Sequence, residues 1–289
     1  MAPESAAAVA ATEEGSITSL DGTRLAYRAW PASSSGATAT TTTVTFAVLH
    51  GLGEHAGRYD RFARGMAPYG MATYALDLRG HGKSDGQRGH VDSWSQWIDD
   101  AAAFVTHVET RAQGEVVPLG HSFGGNLLLS TIRAGRLPNA RRFVVSAPAL
   151  RLKVRVPAWK SSLATITSRL LPRMSIPNGV DAATVSRIPE VVEAYRTDPL
   201  VHSRISSRLY AEWATAAAEN LARAGEIKIP FLILAGSADP LIDSSGSEDL
   251  HNRAPDTSTL VMLEGRYHEP FNDLGSDEVF ATLAEWVRK

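Results

Sequence analysis

Six short apolar runs, each closing in a glycine-rich or acidic turn, leave few folds open to this chain: "VTFAVLHG" from Val44, "MATYALDLRG" from Met71, "VVPLGHS" from Val116, "RFVVSAP" from Arg142, "PFLILAGSAD" from Pro230 and "TLVMLEG" from Thr259. Continuous apolar runs of this length suit strands buried on both faces, as in a parallel sheet covered by helices on each side. Helix-length segments separate them, among them "YDRFARGMAPYG" and "WSQWIDDAAAFVTHVETRAQG". The second brings Trp94, Trp97, Ile98, Ala101, Phe104, Val105 and Val108 close to one face of a helix. Strand and helix alternating at this spacing predict the α/β class, with a doubly wound and mostly parallel sheet.

Two features depart from that rhythm. In "SITSLDGTRLAYRAW" the pair Asp21-Gly22 separates two β-prone runs, which predicts an antiparallel hairpin at the start of the fold. Between Arg151 and Glu226 no convincing strand follows; helical pieces appear instead, punctuated by Pro157, Pro172, Pro177, Pro189 and Pro199. A long insertion between sheet strands reads as a lid or subdomain. The expected organisation is a disordered tail at 1–15, a core formed by 16–150 and 207–289, and a helical cap at 151–206. Apolar Leu152, Val154, Val156, Trp159, Leu163 and Ile166 in the cap would line an acyl channel and touch a lipid interface.

Composition narrows the partners. Lys+Arg 29 against Asp+Glu 31, with no basic cluster interleaved with aromatics, argues against nucleic acid. The absence of cysteine removes disulfides, thiolate metal sites and a cysteine nucleophile, and suits a reducing cytoplasm. Glu4 stands where a signal peptide would carry positive charge, and no apolar run is long enough to span a bilayer. The expected location is cytoplasmic, with peripheral membrane contact.

The chemistry centres on "PLGHSFGGNL", 118–127, where Ser122 sits in Gly120-His121-Ser122-Phe123-Gly124. Gly-x-Ser-x-Gly alone is a common turn, but here a strand-like run precedes it and the helix-like "GNLLLSTIRAG" follows. A serine in a strained strand-to-helix turn exposes its hydroxyl, and glycines flank it because side chains there would meet the neighbouring strand and helix. The hydroxyl needs a base and a group to orient that base, expected in the order serine, acid, histidine. Asp239 in "ILAGSADPLID" and His268 in "VMLEGRYHEPFND" have that order and place. Asp239 also reads as a turn residue before Pro240, with Asp243 or Asp249 as alternative acids. An oxyanion hole requires two backbone N–H groups, and the expected donors are Phe123, after the serine, and Leu52 in "LHGLGEH". Asp77, Arg79, His81 and Ser84 read as a structural turn network.

These blocks carry a family resemblance. With "HGLGEHAGRYDRFA" (50–63), "YALDLRGHGKSDGQRG" (74–89), "GHSFGG" (120–125), "TDPLV" (197–201), "GSADPLIDSSGS" (236–247) and "YHEPFND" (267–273), the chain resembles the α/β-hydrolase fold serine hydrolases. Among them it resembles the monoacylglycerol lipases, in the serine aminopeptidase and lysophospholipase-like group. The resemblance implies Ser122 as nucleophile, Asp239 as acid, His268 as base, and the amides of Leu52 and Phe123 as oxyanion donors. It places Glu54 and Arg58 near the glycerol-binding end, where a surface i, i+4 pair is the plainer reading. It implies hydrolysis of a small lipid or ester substrate without metal or organic cofactor. Phe123 departs from the methionine frequent in that family, which predicts a reshaped pocket.

Overall fold

The computed structural model describes residues 13–32, 44–153 and 167–289. Its centre is an eight-stranded sheet. The strands are β1 (Glu13–Thr18), β2 (Arg24–Trp30), β3 (Val44–Leu49), β4 (Ala72–Leu76), β5 (Glu115–His121), β6 (Phe143–Ser146), β9 (Phe231–Gly236) and β10 (Ser258–Leu263), in spatial order β1-β2-β4-β3-β5-β6-β9-β10. β1 and β2 pair antiparallel, as do β2 and β4; from β4 to β10 all neighbours are parallel. The six apolar runs are the parallel strands. Their lack of polar alternation has a direct cause, since successive residues bury on opposite faces: Phe46 and Val48 lie in one core cluster, Ala47 and Leu49 in the other.

Helices α1 (Asp60–Met66) and α7 (Ser276–Arg288) cover the first of these faces with Phe62, Met66, Val279, Phe280 and Leu283. The other face packs against α2 (Trp94–Arg111), α3 (Phe123–Arg133), α5 (Ser207–Ala222) and α6 (Ser245–Arg253), through Trp97, Phe104, Leu128, Leu209 and Leu250. The hairpin turns at Gly22, whose φ of 86° requires glycine or a strained residue.

Two expectations are corrected. The tail does not extend to residue 15, because Glu13, Glu14 and Gly15 already pair with Ala29, Arg28 and Tyr27 in β1. This edge segment is held by its backbone pairing with β2 and carries ion pairs on its exposed side chains: Glu13 meets Arg111, and Glu14 meets Arg28 and Lys83. Nor is the insertion free of strand: β7 (Ser175–Pro177) and β8 (Arg204–Ser206) form a separate antiparallel pair, too short to leave a periodic pattern. Between them lies α4 (Pro189–Thr197), with proline in its first turn, where no intrahelical N–H is required. Of the residues expected to line an acyl channel, only Leu152 is described; Val154, Val156, Trp159, Leu163 and Ile166 lie outside the described residues. Among the described residues, no helix is long and apolar enough to cross a membrane.

Candidate active site

β5 ends at His121, and the chain reverses into α3 through Ser122, at φ 52° and ψ −114°. A non-glycine residue held there costs on the order of 1–3 kcal/mol, which the surrounding contacts must offset. Ser122 donates its N–H to Ser146 O at 2.8 Å, and its carbonyl accepts from Gly125, Asn126 and Ala149. The turn is also crowded: a Cβ on Gly120 would overlap the Gly124 carbonyl, and one on Gly124 would overlap the carbonyls of Leu49 and His50.

The loops after β9 and β10 bring the partners to the serine. His268 Nε2 lies 2.9 Å from Ser122 Oγ, and its Nδ1 lies 2.7 Å from Asp239 Oδ2. The Asp239 carboxylate only accepts, so Nδ1 carries the proton, and the lone pair on Nε2 faces the serine hydroxyl. Asp239 Oδ1 accepts the N–H groups of Leu241 and Ile242 at 2.8 and 3.0 Å, so the same carboxylate also organises the turn after it. Asp243 instead accepts from Ser245 N, and Asp249 pairs with Arg151; neither faces His268. Burial opposes protonation of His268, but the Asp239 charge, supported by Glu269 and Glu54, outweighs it and raises the pKa. His121, whose ring centroid lies 4.9 Å from that of His268 with the two rings tilted by 50°, is driven far below the usual histidine range, first by burial and then by the His268 charge. A hydroxyl facing an imidazole that a buried carboxylate orients is competent for proton abstraction and nucleophilic attack.

The loop after β3 lies alongside. A Cβ on Gly51 would stand 3.2 Å from that of Ser122, so the loop runs close to the serine at Gly51. Phe123 opens α3, and its N–H is among those a helix leaves without an intrahelical acceptor. Two buried side chains shape the loop. His50 Nε2 accepts Leu78 N–H, so its Nδ1 carries the proton and donates to Gly51 O at 2.7 Å. Burial pushes its pKa down to about 3, which keeps the ring neutral. Glu54 Oε1 accepts Gly51 N–H at 2.8 Å.

Glu54 and Arg58 are not the surface pair that i, i+4 spacing suggests; their side chains are 6% and 7% exposed. Arg58 Nε lies 3.4 Å from Glu54, while its Nη2 lies 2.5 Å from Glu269, and the guanidinium stacks 4.5 Å over the Tyr195 ring. Two buried carboxylates therefore share one cation. Burial, with the Glu269 charge added, pushes Glu54 up to about 7 against the pull of Arg58. Sequence reasoning missed Glu269; its signal was adjacency to His268. The Phe123 ring meets Trp97 and Trp94 of α2 edge-on at 4.8 and 5.3 Å and packs α3 into the core. Asp77 and Arg79 do form a turn network: Asp77 accepts from Ala56 and Lys83, and Arg79 grips Asp100 and Asp21.

Sheet order, strained serine turn and buried Ser-His-Asp constellation together define a serine hydrolase of the α/β-hydrolase fold. The chain belongs to the serine aminopeptidase, S33, family, whose sequence model matches residues 41–275. It is 32% identical over 281 residues to the monoacylglycerol lipase of Mycolicibacterium smegmatis, covering 95% of this chain and 96% of that protein. The crystal structure of the Paleococcus ferrophilus monoacylglycerol lipase superposes with a TM-score of 0.79 at 30% identity, covering 91% of this chain and 98% of that one. An uncharacterized abhydrolase domain-containing protein of Dictyostelium discoideum is 32% identical over 85% of this chain, which spans 26% of that longer protein.

Proposed function

We propose that this chain hydrolyses carboxylic esters through an acyl-enzyme on Ser122, with monoacylglycerol as the substrate. The observation that carries the reading is His268, which meets Asp239 at 2.7 Å through one ring nitrogen and Ser122 at 2.9 Å through the other. His268 Nε2 takes the hydroxyl proton as Ser122 Oγ bonds to the ester carbonyl carbon, and the amides of Leu52 and Phe123 receive the oxyanion. Collapse of that intermediate breaks the bond to the glycerol oxygen, which takes the proton from His268. Water then attacks the acyl-enzyme with the same base, and the fatty acid leaves. Glu54 and Arg58 form the polar side of the site and would hold the glycerol hydroxyls. Residues 151–206 act as the cap, and exposed Leu170, Leu171, Met174 and Ile176 give it an apolar edge suited to a lipid interface.

A panel of monooleoylglycerol, lysophosphatidylcholine and p-nitrophenyl esters of increasing chain length tests the reading. Monooleoylglycerol should give the highest kcat/KM, and Ser122→Ala should lose roughly 10^4-fold or more. Preference for lysophosphatidylcholine, or turnover confined to short p-nitrophenyl esters, would replace the substrate; wild-type turnover by Ser122→Ala would remove the nucleophile.

A further inference from the structure

The two peptide N–H groups that flank His268 both lead to one short stretch of the insertion. Glu269 N–H, on the far side, donates directly to Val185 O at 3.0 Å. Tyr267 N–H, on the near side, donates to Asp273 Oδ2 at 3.0 Å. Asp273 in turn accepts four bonds from that stretch: Arg187 N–H reaches Oδ1 at 2.9 Å, Arg187 Nε reaches Oδ2 at 2.9 Å and Oδ1 at 3.2 Å, and Ser186 Oγ reaches Oδ1 at 3.5 Å. Ser186 Oγ adds a bond to Asn272 O at 2.8 Å.

Asp273 is fully buried, whereas the Arg187 side chain is 29% exposed. A buried carboxylate is tolerated only when its oxygens are met by donors, and here main-chain N–H groups and a guanidinium supply them. Burial alone would raise its pKa; those donors more than reverse the effect, so Asp273 stays ionised. Its partners are set by position: the Tyr267 N–H belongs to the residue before His268, the Leu274 N–H to the residue after Asp273 itself, and the rest to Ser186 and Arg187 of the insertion between β6 and α5.

We propose that Asp273 and Arg187 form a brace through which the insertion positions the catalytic base, making both of them positioning residues for His268. This rests on the reading of His268 as the base. The imidazole must stand between Asp239 and Ser122 with both contacts at hydrogen-bond length, and a displacement of about 1 Å at a catalytic group can lower the rate by around 100-fold. The backbone that sets its position is tied to Val185 and Arg187, so movement of the insertion is felt at the base without any contact to substrate.

The test uses the full chain and p-nitrophenyl butyrate, which is small and soluble, with a thermal melt for each variant. Arg187→Met should lower kcat about 10- to 100-fold with KM changed less than about twofold, and should slow labelling by a fluorophosphonate by a similar factor. Arg187→Lys, which can still reach Asp273, should recover most of the rate. Adding Asp273→Asn to Arg187→Met should lower kcat little further than Asp273→Asn alone, because the two share one interaction. Unchanged kcat in folded Arg187→Met, or a raised KM with kcat unchanged, overturns the brace while leaving the hydrolase reading intact. A folded wild type that cleaves no ester in the panel overturns both.

Discussion

The Glu54 carboxylate holds the Gly51 N–H at 2.8 Å, and through that bond a buried acid fixes the loop where it passes Ser122. Glu54→Ala removes the acceptor and leaves a buried N–H unpaired; kcat should fall about 10- to 100-fold, as for a displaced oxyanion donor. Glu54→Gln keeps an acceptor oxygen and should lose less. Equal losses in the two variants would mean that the charge on Glu54, and not its grip on Gly51, matters.

Stability should report the same group. Glu54 is raised from 4.5 to about 7 by burial and by Glu269, so between those values the folded chain retains a proton that the unfolded chain has released. Stability from this group therefore falls as pH rises through that window. Glu54→Gln removes the dependence, so the variant should gain in urea midpoint relative to wild type between pH 5 and pH 7.5. A constant difference between the two would contradict the raised carboxyl.

Activity should depend on pH through His268 with the opposite chemistry. Catalysis needs the neutral ring, and the Asp239 charge overcomes burial to favour the protonated one, so kcat/KM should decline on the acid side from a pH above the usual histidine value. Asp239→Asn should move that limb to lower pH and reduce kcat about 10^4-fold, since the tautomer is no longer held. An acid limb that stays in place would detach Asp239 from His268.

Gly124→Ala tests the tight crossing beneath the serine. The added Cβ would overlap two main-chain carbonyls, those of Leu49 and His50, which cannot rotate away as a side chain would. A loss of about 1–3 kcal/mol in denaturant unfolding is expected, with reduced turnover because the Ser122 turn and the Leu52 loop are forced apart. Wild-type stability would show that the crossing is looser than its geometry.

Phe123→Met tests where the ring points. Its contacts are Trp94 and Trp97 in the core, so a volume-conserving swap should cost less than about 1.5 kcal/mol and leave the chain-length profile of the ester panel unchanged. A changed profile would place the ring in the substrate path.

Much of this was legible without coordinates because it is local. The inner parallel strands announce themselves because burial on both faces removes polar alternation, as at Val44 to Leu49. The first three residues of β1 did not: Glu13 and Glu14 sit on an edge strand and pair with Arg111, Arg28 and Lys83, so their polarity reads as tail. Ser122 and its glycines were legible because a steric requirement at a turn leaves its mark within five residues. Glu269 was not, because nothing near it in sequence shows that Arg58, 211 positions away, turns towards it.

Sterics and hydrophobic periodicity act over a few residues, so the α/β alternation, the strained turn at Ser122 and the order in which acid and histidine follow could be read along the chain alone. That Asp239, and not Asp243 or Asp249, meets His268, that Arg58 serves two carboxylates, and that Arg187 reaches Asp273 across 86 residues emerged from the folded arrangement. Those are choices of hydrogen-bond partner over a few ångströms between distant segments, and they exist only once the sheet has brought its loops to one edge.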